Sequence, residues 1–547
     1  MSDYVWLNEL SQTFLERDYL KKNQTVDQRI AEICNTAEKI LKRPGFSHKF
    51  KENIKKGWYS LSTPIWSNFG SNRGLPISCF GSYIEDSMES ILVTHAEVGM
   101  MTKIGGGTSA YFGNLRSRGS EIKDNGESYG AVHFMQLYDK LMNVVSQGST
   151  RRGSFAAYLD IWHKDIEEFL TLRSEGSPIQ DMSYGVNVSD EWLQSMIDGD
   201  ADKRKIWAKV LETRANTGYP YIVFIDNANN NSVDVYRDKD RKITQSNLCT
   251  EIFLSNNIDE SFVCCLASMN ILHYDEWKNT NAVELMVYFL DAVMSDFIKK
   301  ASNMKFMDRA VNFAKNQRAI GIGWFGWHSY LQKNMIPWES EKALLVNIDV
   351  AKNLKEKSYA ASAKMAVEYG EPEFLTGYGR RHTTLLAIAP TKSSSFIIGQ
   401  ASEGIEPNRA NFYIKDLAKG KFTIKNEYLI KLLDEKQKNT PEVWDMIMKN
   451  SGSVQKLEFL SENEKDVFKT FREISPVSII QQAADRQKYI DQGQSLNLII
   501  SPTTPIKEVN KLIIDAWKLG IKSLYYQISV NAAQEFKRNL DCVACEV

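Results

Sequence analysis

Cysteine is scarce in this chain, and net charge is nearly absent. Seven cysteines in 547 residues are too few for a disulfide scaffold, and the count is odd. A formal net charge of -1 gives no bulk attraction to DNA or an acidic membrane, so neither is expected as a partner. A nucleotide-sized anion can still find a locally basic site. No apolar run reaches the length of a membrane span, and Met1-Ser2-Asp3-Tyr4 lacks the basic-then-apolar start of a signal peptide. No internal repeat or low-complexity linker divides the chain. These absences point to a reducing, cytoplasmic setting, where cysteines serve catalysis or metal binding more than scaffolding. What remains, 43% hydrophobic and 25% charged, is ordinary for a globular protein with room for two or three structural units.

Residues 1–60 read as a polar, helical N-terminal region. Within Arg29–Leu41, Ile30, Ile33, Cys34, Ala37, Ile40 and Leu41 recur at helical spacing, which makes Cys34 a core residue. From about residue 60, short apolar runs alternate with longer amphipathic ones. Near the end, Ser495–Ile500 reads as a buried strand. Thr504 caps a helix with Pro505 at its first position, Gly520 closes it, and Ile521–Tyr526 reads as a second strand. This βαβ unit implies parallel strands, and the alternation implies an α/β barrel or a doubly wound sheet. The boundaries expected are 1–60, 61–530 and 531–547, the last a polar, mobile tail.

The remaining cysteines carry the chemistry. In an extended backbone, Asn247, Cys249 and Glu251 share one side, bringing an amide, a thiol and a carboxylate together. A plain loop with one buried cysteine is the competing reading. Cys264 and Cys265 sit in a strand-like run, so only one of them faces a given side. Cys79 follows Leu75-Pro76-Ile77-Ser78 and also fits a strand. Cys542 and Cys545 form C-x-x-C on the polar tail, a spacing that suits a redox dithiol or half a zinc site. Structural zinc needs four ligands and none lies nearby in sequence, so a redox tail is expected and no metal site is assigned.

Together these residues resemble the large subunit of class I ribonucleotide reductases, from about Ser62 to the C-terminus. The resemblance implies a ten-stranded α/β barrel around a central finger loop. Asn247, Cys249 and Glu251 are similar to the family's finger-loop triad. Cys79 and Cys264 resemble its substrate-reducing pair, with Cys265 a bystander. Tyr525-Tyr526 resembles the stacked tyrosine pair that marks class I, and Cys542 and Cys545 the tail pair. Thr63, Ser78 and Gly107 resemble substrate contacts, and Pro390, Thr391, Ser393 and Ser394 the phosphate loop. Gly105-Gly106-Gly107 is not a P-loop, because no Gly-Lys-Ser/Thr follows. Asp86, Ser87 and Arg116 resemble the site for dNTP or ATP effectors at a dimer interface. The coupling loop falls near Ser174–Asp181, where the family's arginine is missing and Gln180 is its substitute. With only about 60 residues before Thr63, no N-terminal ATP-cone is expected, nor an ATP/dATP on-off switch on this chain.

The resemblance implies a radical reaction without a cofactor bound in this chain. A separate small subunit supplies the oxidising equivalent, which Tyr526 and Tyr525 relay to Cys249. Ribonucleoside diphosphates are the implied substrates, and a thioredoxin or glutaredoxin the implied reductant. Three rivals remain: an adenosylcobalamin-dependent class II reductase, a glycyl-radical enzyme, and a non-catalytic nucleotide-binding regulator. The tyrosine pair argues against the first, the absence of glycine after Gly520 against the second, and the complete cysteine set against the third.

Overall fold

The computed structural model describes residues 3–147, 152–417 and 420–529. The N-terminal region forms three helices: α1 (Glu9–Asp18), α2 (Val26–Leu41) and α3 (Phe46–Lys55). Helix α2 starts at a capping box between Thr25 and Gln28, and it buries Ile30, Ile33, Cys34, Ala37 and Leu41. From the same helix the buried Arg29 donates to the carbonyls of Ile65, Trp66 and Phe69. Those carbonyls end the short helix Thr63–Asn68, so one guanidinium satisfies orphan acceptors and ties this region to the next.

The strands that follow are β1 (Tyr59–Leu61), β2 (Cys79–Tyr83), β3 (Gly107–Tyr111), β4 (Phe155–Asp160), β5 (Ser183–Val188), β6 (Tyr221–Phe224), β7 (Phe262–Asn270), β8 (Ile320–Phe325), β9 (Leu498–Ile500), β10 (Ser523–Leu524) and β11 (Gln527–Ser529). Strands β2 to β6 pair in parallel, each with the next. A second parallel run is made of β7, β8, residues 384–388, residues 494–500 with β9, and the terminal segment containing β10 and β11. Single hydrogen bonds extend this run where the strands are irregular, such as Ile322 N to Leu385 O, Ser495 N to Ile388 O and Tyr525 N to Leu496 O. The two five-stranded runs are antiparallel to each other, meeting at β2–β7 and at β6–β10. They close a ten-stranded barrel, with β1 added outside the ring on β7.

The closing βαβ unit forms as expected, with parallel pairing of Leu498 to Gln527. Its helix runs from Ile506 to Lys518, one residue later than the Thr504 cap implies, because Pro505 itself takes the N-cap. Gly520 lies beyond the helix end in the left-handed region, φ +82°. The expected strand over Ile521–Tyr526 is split. Within it only Ser523–Leu524 pairs with β6; the pairing with β9 is made by Gln527–Ser529, beyond the expected end, and the two tyrosines lie between. The described residues include no helix long and apolar enough to cross a membrane.

Residues 244–256 enter the barrel as a loop without regular structure. Ser246, Asn247, Thr250 and Glu251 are buried, so the backbone there needs partners other than water. The barrel wall supplies them. Tyr158 donates to Asn247 O at 2.5 Å, Ser495 Oγ to Cys249 O at 2.6 Å, Ser523 Oγ to Thr250 O at 2.8 Å, and Gly493 N to Glu251 O at 2.8 Å.

Candidate active site

The loop's chemistry depends on a turn, not on the strand alternation expected from sequence. Thr250 adopts φ +63°, and the Asn247 side-chain oxygen accepts from the backbone N–H of both Glu251 and Ile252 at 3.1 Å. That turn folds the carboxylate of Glu251 back beside Asn247. The other end of the Asn247 amide donates to Cys79 Sγ at 3.2 Å. One side chain thus ties the loop to the barrel wall.

Cys79 and Cys264 face each other directly across the antiparallel β2–β7 seam. Directly opposed antiparallel residues have Cα atoms about 4.5–5.5 Å apart, inside the range a disulfide can bridge. The two are not joined as a disulfide here. Burial pushes the Cys264 thiol well above its ordinary pKa, helped by nearby Cys79 and opposed by the Gln492 amide, 3.6 Å from its sulfur. Cys265 points away from this pair, as strand alternation requires, and burial raises its pKa too.

Glu251 is 1% exposed. Desolvation pushes its carboxyl up from 4.5 to about 7, while bonds from Asn247 and Ser495 pull the other way. Ser495 Oγ lies 3.2 Å from Glu251 Oε2. Burial likewise holds the Tyr158 phenol well above its ordinary value, with Cys249 and Glu251 adding to the effect. Cys249 is the half-buried member of the set.

Hydroxyl-bearing residues cluster where β1 meets the 390–394 loop. Thr63 opens the helix after β1, and its Oγ1 is 3.3 Å from the Tyr19 hydroxyl. Gly107 N donates to Ser78 O at 2.8 Å. Pro390 and Thr391 lead into the short helix Lys392–Ile397, with Thr391 at φ +54° and Ser393 and Ser394 in its first turn. Ser394 Oγ donates to Leu61 O at 3.2 Å and Ser60 Oγ to Ser394 O at 2.8 Å, which docks this loop against β1. The buried hydroxyls of Ser62 and Ser78 have no partner among the described residues.

Tyr525 and Tyr526 touch at 4.2 Å between ring centroids, tilted by 51° where stacking was expected. They do not stand alone. Tyr221 lies 4.8 Å from Tyr525 and 5.2 Å from Tyr526, and Tyr219 lies 5.1 Å from Tyr526. Asp86 and Arg116 form an ion pair at 2.8 Å, next to Ser87, the N-cap of helix Met88–Lys103. Gln180 is exposed and closes its own loop on the carbonyls of Ser174 and Ser177 at 2.8 Å. Cys542 and Cys545 lie outside the described residues.

Sequence reasoning missed Tyr158, Gln492, Ser495, Tyr219 and Tyr221. Gln492 accepts from Phe253 N at 3.2 Å and donates to Ile320 O at 3.2 Å and Thr384 Oγ1 at 3.0 Å, so it joins loop, wall and Cys264. The available signal is a polar run, Asp491-Gln492-Gly493-Gln494-Ser495, leading into the apolar Leu498-Ile499-Ile500.

Comparison with known proteins agrees with this architecture. A family profile described as "Ribonucleotide reductase, barrel domain" matches residues 77–202, 194–376 and 372–527. The chain is 32% identical to the "Ribonucleoside-diphosphate reductase large subunit" of Invertebrate iridescent virus 3, covering 100% of this chain and 98% of that protein. The protein of the same name from Danio rerio is 28% identical, with 86% of this chain and 69% of that one covered. Among solved structures, "Actinobacillus ureae class Id ribonucleotide reductase alpha subunit" superposes with a TM-score of 0.93 at 53% identity, covering 98% of this chain and 99% of that one. The chain belongs to the ribonucleotide reductase large-subunit family.

Proposed function

We propose that this chain is the catalytic subunit of a class I ribonucleoside-diphosphate reductase. The observation that carries the reading is the placement of Cys249, Glu251 and Asn247 on a buried loop aimed at the facing Cys79 and Cys264. The names of its relatives support diphosphates as substrates and a separate small subunit as partner, and favour class I over class II.

Cys249, as a thiyl radical, abstracts the ribose 3′ hydrogen. Glu251 takes the 3′-OH proton; a carboxyl near 7 is matched to that role at neutral pH. Asn247 orients substrate and base. The 2′-OH leaves as water, with protons and electrons from Cys79 and Cys264, which close as a disulfide, and the Cys249 thiol returns the hydrogen to C3′, which restores its thiyl radical. Cys542 and Cys545 reduce it by thiol exchange and are recharged by a thioredoxin- or glutaredoxin-like protein. The orphaned hydroxyls of Ser62 and Ser78, with Thr63, Gly107 and the 390–394 loop, hold the substrate. The buried loop keeps water from the radical. Tyr526 and Tyr525 relay the oxidising equivalent from the small subunit.

Asp86, Ser87 and Arg116 bind a dNTP or ATP effector at a homodimer interface. Exposed Met88, Leu92 and Val93 on the adjoining helix, with Leu137 and Val144 on the helix packed beside it, give that interface an apolar face.

The test is reduction of CDP to dCDP with excess dithiol and ATP, using the chain alone, with adenosylcobalamin, and with the small subunit from the same source. Turnover only with the small subunit, lost in Tyr525→Phe and Cys249→Ser, supports the reading. Turnover with cobalamin alone makes it class II and overturns the relay.

A further inference from the structure

Tyr219 has no part in the relay described so far, yet its hydroxyl lies within hydrogen-bond distance of Tyr526. It sits between helix Ala201–Thr217 and β6, with only 3% of its surface exposed. Its hydroxyl lies 3.0 Å from the Tyr526 hydroxyl and 3.2 Å from Ser183 Oγ. Its ring meets Tyr526 edge-on, 79° between planes, and stacks on Tyr184 at 5.4 Å and 10°. The Arg173 guanidinium lies over the Tyr219 ring, 4.8 Å from its centroid.

Two physical arguments separate Tyr219 from Tyr526. A phenoxyl oxygen that has lost its hydrogen can only accept, so an oxidised Tyr526 needs a donor within reach. Tyr219 offers one, held by Ser183 and by its stacked ring. A cation over an aromatic face is attracted to the electrons of that ring and opposes removing one. Arg173 therefore disfavours a radical on Tyr219 itself. Adjacent rings of the same chemical type are thereby made unequal.

We propose that Tyr219 is a positioning residue of the radical relay, whose hydroxyl donates to the Tyr526 oxygen and whose own oxidation is opposed by Arg173. This rests on the assignment of Tyr526 and Tyr525 as relay residues. In the step concerned, the Tyr526 O–H bond breaks, and its electron and proton go to the one-electron oxidant of the small subunit. The Tyr219 O–H bond stays intact throughout. Tyr526 then takes a hydrogen atom from the Tyr525 hydroxyl, and Tyr525 takes one from the Cys249 thiol. Both phenols are restored and the thiyl radical remains.

The test uses the full chain with its small subunit. The easily oxidised 3-aminotyrosine replaces Tyr526 as a radical trap, in chains carrying Tyr219 or Tyr219→Phe, and high-field EPR reads the gx value. That value falls when the radical oxygen accepts a hydrogen bond. Tyr219→Phe keeps the ring, and with it the stacking. The expected result is a higher gx in Tyr219→Phe. In the chain without the trap, kcat falls about tenfold, the worth of one hydrogen bond, with the KM for CDP unchanged. Ser183→Ala, which removes a support of the donor and not the donor itself, raises gx less than Tyr219→Phe does. Equal gx in both backgrounds, or an unchanged kcat, overturns the proposal. So does a radical trapped by 3-aminotyrosine at position 219, which would make Tyr219 a carrier. Failure of the relay reading looks different: no radical at position 526 with Tyr219 intact, and normal turnover in Tyr526→Phe.

Discussion

Replacing Glu251 by glutamine should stabilise the protein while abolishing its activity, and the stabilisation should depend on pH. The carboxyl ionises near 4.5 when unfolded and near 7 in the folded barrel, because burial penalises its charge. Between those values the folded protein keeps a proton that the unfolded chain has lost. The raised pKa thus favours folding below about pH 4.5, and the advantage is lost as pH rises through 7. The loss amounts to about 3 kcal/mol, from the size of the shift at 1.36 kcal/mol per unit. Glutamine mimics the protonated acid, still accepts from Ser495, and never ionises. At roughly 2.1 cal/mol/K per residue of unfolding entropy, 3 kcal/mol in a chain of 547 residues corresponds to about 3 °C in Tm. The measurement is paired calorimetry of wild type and Glu251→Gln from pH 5 to pH 8.5. The gap in Tm should open through the neutral range and then level off. A gap independent of pH, or a variant less stable than wild type at pH 8, refutes the reasoning. Turnover in the same variant should fall by about 10² or more, the usual contribution of a general base.

Other expectations follow from the same contacts. With the tail pair removed by Cys542→Ser and Cys545→Ser, a single turnover without reductant should leave Cys79 and Cys264 unreactive to alkylation, whereas Cys264→Ser in the same background should leave Cys79 reactive. Gln492→Leu removes the partner of Phe253 N and the donor to Ile320 O, and should lower stability by about 2–4 kcal/mol, measured by denaturant unfolding. Gly493→Ala places a Cβ 2.4 Å from the Phe253 ring, so the finger loop must shift; turnover should fall with substrate affinity measured separately by calorimetry. Arg116→Ala breaks the pair with Asp86 and should weaken effector binding, read by isothermal titration.

The sequence displays what is local. The last βαβ unit was readable because its helix and strands carry their own periodicities, and α2 because its apolar stripe and capping box lie within one segment. The barrel as a closed ring was legible only through family resemblance. Its closure depends on isolated bridges and single hydrogen bonds between segments such as 384–388 and 494–500, and no local pattern says which segment pairs with which. The same limit explains the site. Strand alternation put Asn247, Cys249 and Glu251 together for the wrong reason: the left-handed Thr250 and the Asn247 side chain make a turn instead. Ser495 and Gln492 reach the loop from more than 200 positions away, and no spacing rule links residues so distant. Tyr219 and Tyr221 flank a proline in an apolar run, where an aromatic pair reads as core.

If Cys79 and Cys264 are the redox pair proposed above, the antiparallel seam gives the enzyme two different durabilities. Strands β2 and β7 join the two parallel halves of the barrel, and Cys79 and Cys264 face each other across that join. A disulfide closed there ties off a loop of roughly 185 residues, and the loss of chain entropy it imposes on unfolding is about 5 kcal/mol. On the proposed chemistry the spent enzyme would be covalently laced and expected to resist heat and proteolysis, while the reduced enzyme would hold its halves together by packing and hydrogen bonds alone. Each turnover would then tighten the barrel, and each encounter with reductant would loosen it. A cell short of reducing power would accumulate its reductase in the hardier form.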